Sequence, residues 1–271
     1  IYSFRGANFK NIMDFPKIFS DAKIIMLEEN YRSVQPILSL TNEVISNAEE
    51  KFEKTLFTKK KGSKLPIFVD AEDENSQSRY VADKILELRE EGVELSDIAV
   101  LFRSGWHSND LEIELASRNI PFIKYGGQKF VEAAHIKDII SYLRITYNIF
   151  DAVSWHRALL LMRGIGPKTA ERIISKVSLG KKDFDLDQKL IDKSPDLAAL
   201  LELLQSGLNS DSPAEMIRVF LKYYEPLLKD KYDDFNKRLN DLDSLERIAS
   251  RYNSLEKFLA DMALDPPERN I

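Results

Sequence analysis

The chain has 271 residues, 44% of them hydrophobic and 31% charged, with a net charge of −5. That length supports one large or two ordinary domains, and that apolar share excludes an intrinsically disordered chain. No apolar run reaches membrane-spanning length and there is no cysteine, which predicts a soluble protein without disulfides or thiolate metal sites and fits a reducing compartment.

The charge is unevenly spread. Residues 1–69 carry a balance of +3, residues 70–119 of −8, residues 120–182 of +7 and residues 183–271 of −7. A basic island between acidic stretches suits a phosphate-facing patch on an acidic protein, although chance clustering gives the same picture. The three histidines, His107, His135 and His156, lie far apart with no ligand pair at helical spacing, so no metal site is expected.

The chain opens on Ile1-Tyr2-Ser3-Phe4-Arg5-Gly6-Ala7, without an initiator methionine or a targeting signal, and closes on Pro266-Pro267-Glu268-Arg269-Asn270-Ile271. Both ends read as cut. Aromatics interleaved with arginine suit single-stranded nucleic acid, because rings stack on bases and a guanidinium reaches phosphates. The six residues Tyr2-Ser3-Phe4-Arg5-Gly6-Ala7 are too short a stretch to carry that reading alone.

Ile24-Ile25-Met26-Leu27 reads as a buried strand, followed by a helix from about Val34 to Ala48. Further strands are expected at Ile67-Phe68-Val69, Ile98-Ala99-Val100-Leu101-Phe102 and Phe122-Ile123-Lys124-Tyr125. Helices are expected between them at about 77–91 and 109–119. Single helices between strands imply a mainly parallel sheet covered on both faces, an α/β fold. From about Ala134 the periodicity is helical only: Ile136, Ile139, Ile140 and Leu143 share a face, Leu159, Leu160 and Leu161 follow, and further helices fall near 168–178, 196–206, 213–224, 233–252 and 254–263. An α/β half followed by an all-helical half places a boundary near Tyr125–Ala134. Lys59-Lys60-Lys61-Gly62 reads as a short solvated basic loop.

Three internal patterns carry candidate chemistry. Leu27-Glu28-Glu29-Asn30-Tyr31-Arg32-Ser33 lies where a parallel strand ends and a helix begins, the edge at which α/β proteins hold ligands. There Tyr31 offers a ring for a nucleobase and Arg32 a guanidinium for a phosphate, while the plainer reading makes Ser33 a helix cap and Arg32 the partner of a neighbouring glutamate. Tyr125-Gly126-Gly127-Gln128-Lys129-Phe130 lacks the third glycine of a dinucleotide loop and reads as a junction turn. Arg163-Gly164-Ile165-Gly166-Pro167-Lys168-Thr169-Ala170, inside the basic island, has the shape of a helix-hairpin-helix turn. Its glycines admit a DNA backbone, and a helix N-terminus, Lys168 and Thr169 add donors.

Taken in order, IYSFRGA, LEENYRS, AVLFRS, IPFIKYGGQKFVEAAHIKDIISYLR and RGIGPKTAERI resemble conserved blocks of the UvrD/Rep/PcrA group of superfamily 1 DNA helicases, over nearly the whole chain. The resemblance implies an internal fragment. Residues 1–23 would be the tail of the first motor domain (1A), residues 24–130 the first part of the RecA-like motor domain 2A, and residues 131–271 the helical 2B domain. It implies that Tyr31 packs on the adenine of ATP and that Arg32 reaches the γ-phosphate and stabilises transition-state charge. It implies that Tyr2, Phe4 and Arg5 contact single-stranded DNA, with Phe4 where many members carry Trp. It implies that Gly164, Ile165, Gly166, Lys168 and Thr169 meet duplex DNA.

A phosphate loop and an acidic Mg²⁺-holding run are absent from this stretch. The fragment alone is therefore expected to bind DNA but to bind ATP poorly and hydrolyse none, whereas the intact protein would use ATP and Mg²⁺ to translocate 3′→5′ and unwind duplex in repair or replication. Implied partners are single-stranded and duplex DNA, the missing 1A, 1B and remaining 2A portions, and repair proteins. The implied location is bacterial cytoplasm at the nucleoid, without a membrane. An AddA- or RecB-type helicase–nuclease would share these blocks. A stand-alone DNA-binding or partner-binding module is the alternative from another class.

Overall fold

The computed structural model describes residues 8–178, 191, 194–205 and 212–264. Contacts divide the chain into two compact units, Ile1–Asp70 and Ala71–Ile271. Regular structure among the described residues is helical.

In the first unit, α1 (Lys10–Ile18) begins where the Asn8 side chain accepts from Lys10 N at 3.0 Å, and its Phe9, Ile12, Phe15 and Ile18 stripe is solvent-exposed. The second helix, α2 (Gln35–Ser46), carries Pro36 in its first turn, where a missing N–H costs nothing, and buries Leu38. Ser33 does not cap it: the N-cap position is Val34 and no side chain bonds the cap.

In the second unit, α3 (Glu74–Glu90) starts at Asp73, whose carboxylate accepts from Ser76 N at 2.7 Å. It packs on α4 (Asn109–Ser117) through Ala82, Ile85, Leu111, Leu115 and Ile120. The helical half comprises α5 (Ala134–Tyr147), α6 (Ala152–Leu159), α7 (Pro167–Ser178), α8 (Pro195–Gln205), α9 (Pro213–Lys231), α10 (Phe235–Ala249) and α11 (Leu255–Met262). Its core is one continuous cluster around α5, whose Ile136, Ile139 and Leu143 are fully buried, as their spacing predicts. Each such side chain contributes about 1.5–3 kcal/mol on burial. The expected end of α9 at 224 is overrun, because Leu227 and Leu228 beyond Pro226 are buried and their burial outweighs the hydrogen bond that proline forfeits.

Polar groups enter this core in pairs. Asp138, with no solvent exposure, accepts from Tyr224 Oη and Arg157 Nε, both at 2.6 Å. Tyr142 stacks on Phe220 at 5.4 Å between ring centres, and its hydroxyl is buried without a hydrogen-bond partner. Arg251, just past α10, donates to Asn75 at 2.8 Å and lies 3.3 Å from Asp110 and 3.6 Å from Glu114, joining α3 and α4 to the helical half. Asp241 of α10 likewise accepts from Asn109 of α4 at 3.3 Å and lies 3.1 Å from His135 of α5.

The expected parallel sheet does not form among the described residues. The four segments expected as strands, Ile24–Leu27, Ile67–Val69, Ile98–Phe102 and Phe122–Tyr125, pair with nothing, and the β-pairing present is one isolated parallel bridge between Glu29 and Phe57. The physical reason is visible in the side chains. Phe68 and Leu101 are 91% and 92% exposed, so these runs lack the neighbours that a buried parallel strand needs on each side. An apolar run states that a segment must be covered, not what covers it. The Gly126-Gly127 turn lies within the second unit: Gly126 has a φ of +87°, and the buried Glu112 carboxylate bonds Lys124 Nζ before the turn and Phe130 N at 2.8 Å after it.

Candidate functional site

Asn30 organises the turn that carries Tyr31 and Arg32. Its side-chain oxygen accepts from Arg32 N at 3.0 Å and Ser33 N at 2.8 Å, a local ring that bends the chain before α2 without a regular cap. Both Tyr31 and Arg32 are exposed, Tyr31 to 81%. The charge of Glu29, and a hydrogen bond to it, push the Tyr31 hydroxyl above the usual phenol range, so it stays neutral. The pairing of Arg32 with a neighbouring glutamate does not occur; Glu29 lies 3.2 Å from Lys59 instead.

Residues 55–62 run alongside this turn. Asn30 N donates to Phe57 O at 2.7 Å, and Phe57 N donates to Glu28 O at 3.0 Å. The Glu28 carboxylate accepts from Thr55 N at 2.9 Å, and Gln35 Oε1 from Thr58 N at 3.2 Å. Asn42 of α2 bonds both backbone groups of Leu56, at 2.9 and 3.0 Å. Lys60 Nζ reaches Arg32 O at 3.1 Å. The basic loop 59–62 thus lies against the Tyr31–Arg32 turn, and its sequence gave no sign of that.

The turn at 163–169 lies between α6 and α7. Gly164 has a φ of +77°, a backbone region that side chains disfavour, and a Cβ built on Gly164 or Gly166 would meet nothing within 4 Å. That backbone face is open. Ile165 turns inward and is buried, which fixes the glycines outward, and Gly166 O accepts from Thr169 N and Ala170 N at 3.0 and 2.9 Å to start α7. Lys168 is exposed and Thr169 half-buried. Arg163 is engaged by Asp230 and Asp196.

Leading into that turn, Leu160 and Leu161 form part of the wall of a groove of about 610 Å³ between α5 and α6, which Lys137, Arg144, Arg157 and Lys231 also line, with His156 beside them. The acid in its wall, Asp138, is already paired with Arg157. Lys137 and Arg144, seven residues apart on α5, share one face. Both belong to the basic island of the sequence, and the α5–α6 packing joins them to Leu160 and Leu161 in one groove wall, with Arg144 towards the start of α6, 3.9 Å from the Asp151 carboxylate. Tyr2, Phe4 and Arg5 lie outside the described residues.

A family model for the UvrD-like helicase C-terminal domain matches residues 25–266. The chain belongs to the UvrD-like helicase C-terminal domain family. Among curated proteins it is 35% identical to a probable DNA helicase II homolog of Mycoplasma capricolum, over 98% of this chain and 37% of that protein. It is 32% identical to the ATP-dependent DNA helicase PcrA of Staphylococcus aureus, over 96% of this chain and 36% of that protein, and 31% identical to PcrA of Staphylococcus epidermidis. The chain therefore spans little more than a third of the length of these relatives. The UvrD-like match includes the 29–33 turn, the 55–62 segment, the 163–169 turn and the α5–α6 groove. No helix among the described residues is long and apolar enough to cross a membrane.

Proposed function

We propose that this chain is part of an ATP-dependent DNA helicase, contributing one wall of the ATP site and a duplex-binding surface. The observation that carries the reading is the turn at 29–33. Asn30 satisfies its backbone, Tyr31 and Arg32 project into solvent, and no carboxylate among the described residues neutralises Arg32. A flat ring beside an unpaired guanidinium suits a nucleotide: the ring stacks on the base, and the planar cation binds phosphate oxygens and stabilises charge that builds up as the γ-phosphoryl group transfers.

In this reading residues 1–23 end the first motor domain, 24–130 begin the RecA-like domain 2A and 131–271 form 2B. The exposed apolar segments at 24–27, 67–69, 98–102 and 122–125 become strands of a parallel sheet when paired within the complete motor domain. Gly164, Ile165, Gly166, Lys168 and Thr169 meet the duplex backbone, extended by Lys137 and Arg144 of the groove. Tyr2, Phe4 and Arg5 face single-stranded DNA, and translocation runs 3′→5′ in a bacterial cytoplasm, in repair or replication. The described residues contain no group of three or more carboxylates and histidines able to hold a metal ion, so Mg²⁺ is assigned to other parts of the protein and no step here is routed through it.

Arg32→Ala in the intact protein is the test. DNA-stimulated ATP hydrolysis should fall by about 10³-fold or more, the scale for an arginine acting on a transferring phosphoryl group. Affinity for single-stranded DNA should hardly change. Undiminished turnover would remove Arg32 from this role.

A further inference from the structure

Arg32 is fixed at its backbone and free at its side chain. Its N–H donates to Asn30 and its carbonyl accepts from the Lys60 ammonium, while its guanidinium makes no hydrogen bond or ion pair among the described residues. A guanidinium on a flexible stem can be aimed in two ways. Bonding its own nitrogens uses up the donors that a ligand needs, whereas fixing the backbone at its root leaves all five available. This turn takes the second route.

The fixing group comes from 28 residues away. Lys60 reaches Arg32 because residues 55–62 are tied to the turn and to α2 along their length, by Glu28 at Thr55, Asn42 at Leu56, Asn30 at Phe57, Gln35 at Thr58 and Glu29 at Lys59. At the far end the fit is tight: a Cβ on Gly62 would stand 2.5 Å from Val34 Cγ1, at the head of α2. Of the lysines in the loop, Lys59 is turned towards a carboxylate, and Lys60 towards the peptide carbonyl of Arg32.

We propose that residues 55–62 form a strap that presets Arg32, with Lys60 as a positioning residue for phosphoryl transfer. The proposal rests on the reading of Arg32 as the residue that acts on the phosphate. Misplacing an aimed group by about 1 Å costs up to about 10²-fold in rate, so loss of one of two backbone ties should have an effect well within assay range.

The experiment is a cycle in the full-length protein, measuring DNA-stimulated ATP hydrolysis for Lys60→Ala, Lys60→Arg, Arg32→Ala and the Lys60→Ala/Arg32→Ala double variant. Lys60→Ala should lower kcat about tenfold with KM for ATP within about twofold, and Lys60→Arg should restore most of the loss. With Arg32 already removed, Lys60→Ala should cost nothing further, because it acts through Arg32. Gly62→Val, which leaves every tying side chain in the sequence but forces the strap off Val34, should reproduce the kcat loss. An equal loss from Lys60→Ala in both backgrounds, or a rise in KM alone, overturns the positioning role while leaving Arg32 in place. No loss from Arg32→Ala overturns the reading beneath it, and this proposal with it.

Discussion

Two tyrosines in the helical core provide a test with opposite signs. Tyr142 and Tyr224 lie in the same aromatic cluster, 6.2 Å apart between ring centres, and changing either to Phe deletes the same atom. The Tyr142 hydroxyl is buried with no partner, so it carries a desolvation penalty of about 1–3 kcal/mol that nothing offsets. Tyr142→Phe should relieve part of it and stabilise the fold by about 1 kcal/mol, or about 2–4 °C in Tm for a chain of this size. Tyr224 instead donates to the fully buried Asp138 carboxylate at 2.6 Å. Tyr224→Phe leaves that carboxylate with Arg157 as its remaining side-chain partner, and should destabilise by about 1.5–3 kcal/mol, the range for a bond to a charged group. Urea and thermal unfolding followed by helical circular dichroism would resolve the two. If Tyr142→Phe destabilised as much as Tyr224→Phe, its hydroxyl would be bonded, through buried water for example, and the reasoning would fail.

The same tyrosines set an alkaline limit. Burial is the main cause that pushes the Tyr142, Tyr223 and Tyr224 phenols above 10 and Tyr252 up to about 12. The unfolded chain ionises from about pH 10, so stability is complete below that and drops as pH rises through the folded values, over about pH 10 to 12 for Tyr252. The part of the tyrosinate absorbance that belongs to these four should rise together with loss of helix, and Tyr252→Phe should shallow the decline; a full complement of ten tyrosinates near pH 10 in an intact helical fold would contradict this. At the 163–169 turn, Gly164→Ala should cost about 1–2 kcal/mol because of its positive φ, whereas Gly166→Ala should leave stability nearly unchanged, its Cβ meeting open space. Both should weaken forked-DNA binding at low salt, and undiminished binding by both would return the turn to a purely structural role.

The helices expected at 77–91 and 254–263 are present as α3 and α11, each opened by a side chain on a backbone N–H, from Asp73 and Ser254, whereas α6 after Asp151 was not delimited by its short apolar pattern. α1 was not expected: Pro16 within it argues against a helix, although Ile12, Phe15 and Ile18 recur at helical spacing. The strand-like runs were legible as apolar but not as paired, since pairing depends on neighbours a local window does not contain. At the candidate site the sequence pointed to Tyr31 and Arg32 through residue type and position. It could not show Lys60 on the Arg32 carbonyl, or Lys137 and Arg144 lining one groove with Leu160 and Leu161, because both arise from contacts between distant segments.

The joint between α4 and the helical half has one more property. Ile113 links α4 to the main core, but much of the rest is charged or amide: Arg251 with Asn75, Asp110 and Glu114, and Asp241 with Asn109 and His135. Opening an apolar seam exposes hydrocarbon at about 25 cal/mol per Å². Groups like these, with Asn109, Asp110 and His135 buried, must keep their partners, since a buried polar atom left unpaired costs about 1–3 kcal/mol. The joint is therefore set in register by its polar pairs, which accept one alignment of α4 where packed hydrocarbon would tolerate several.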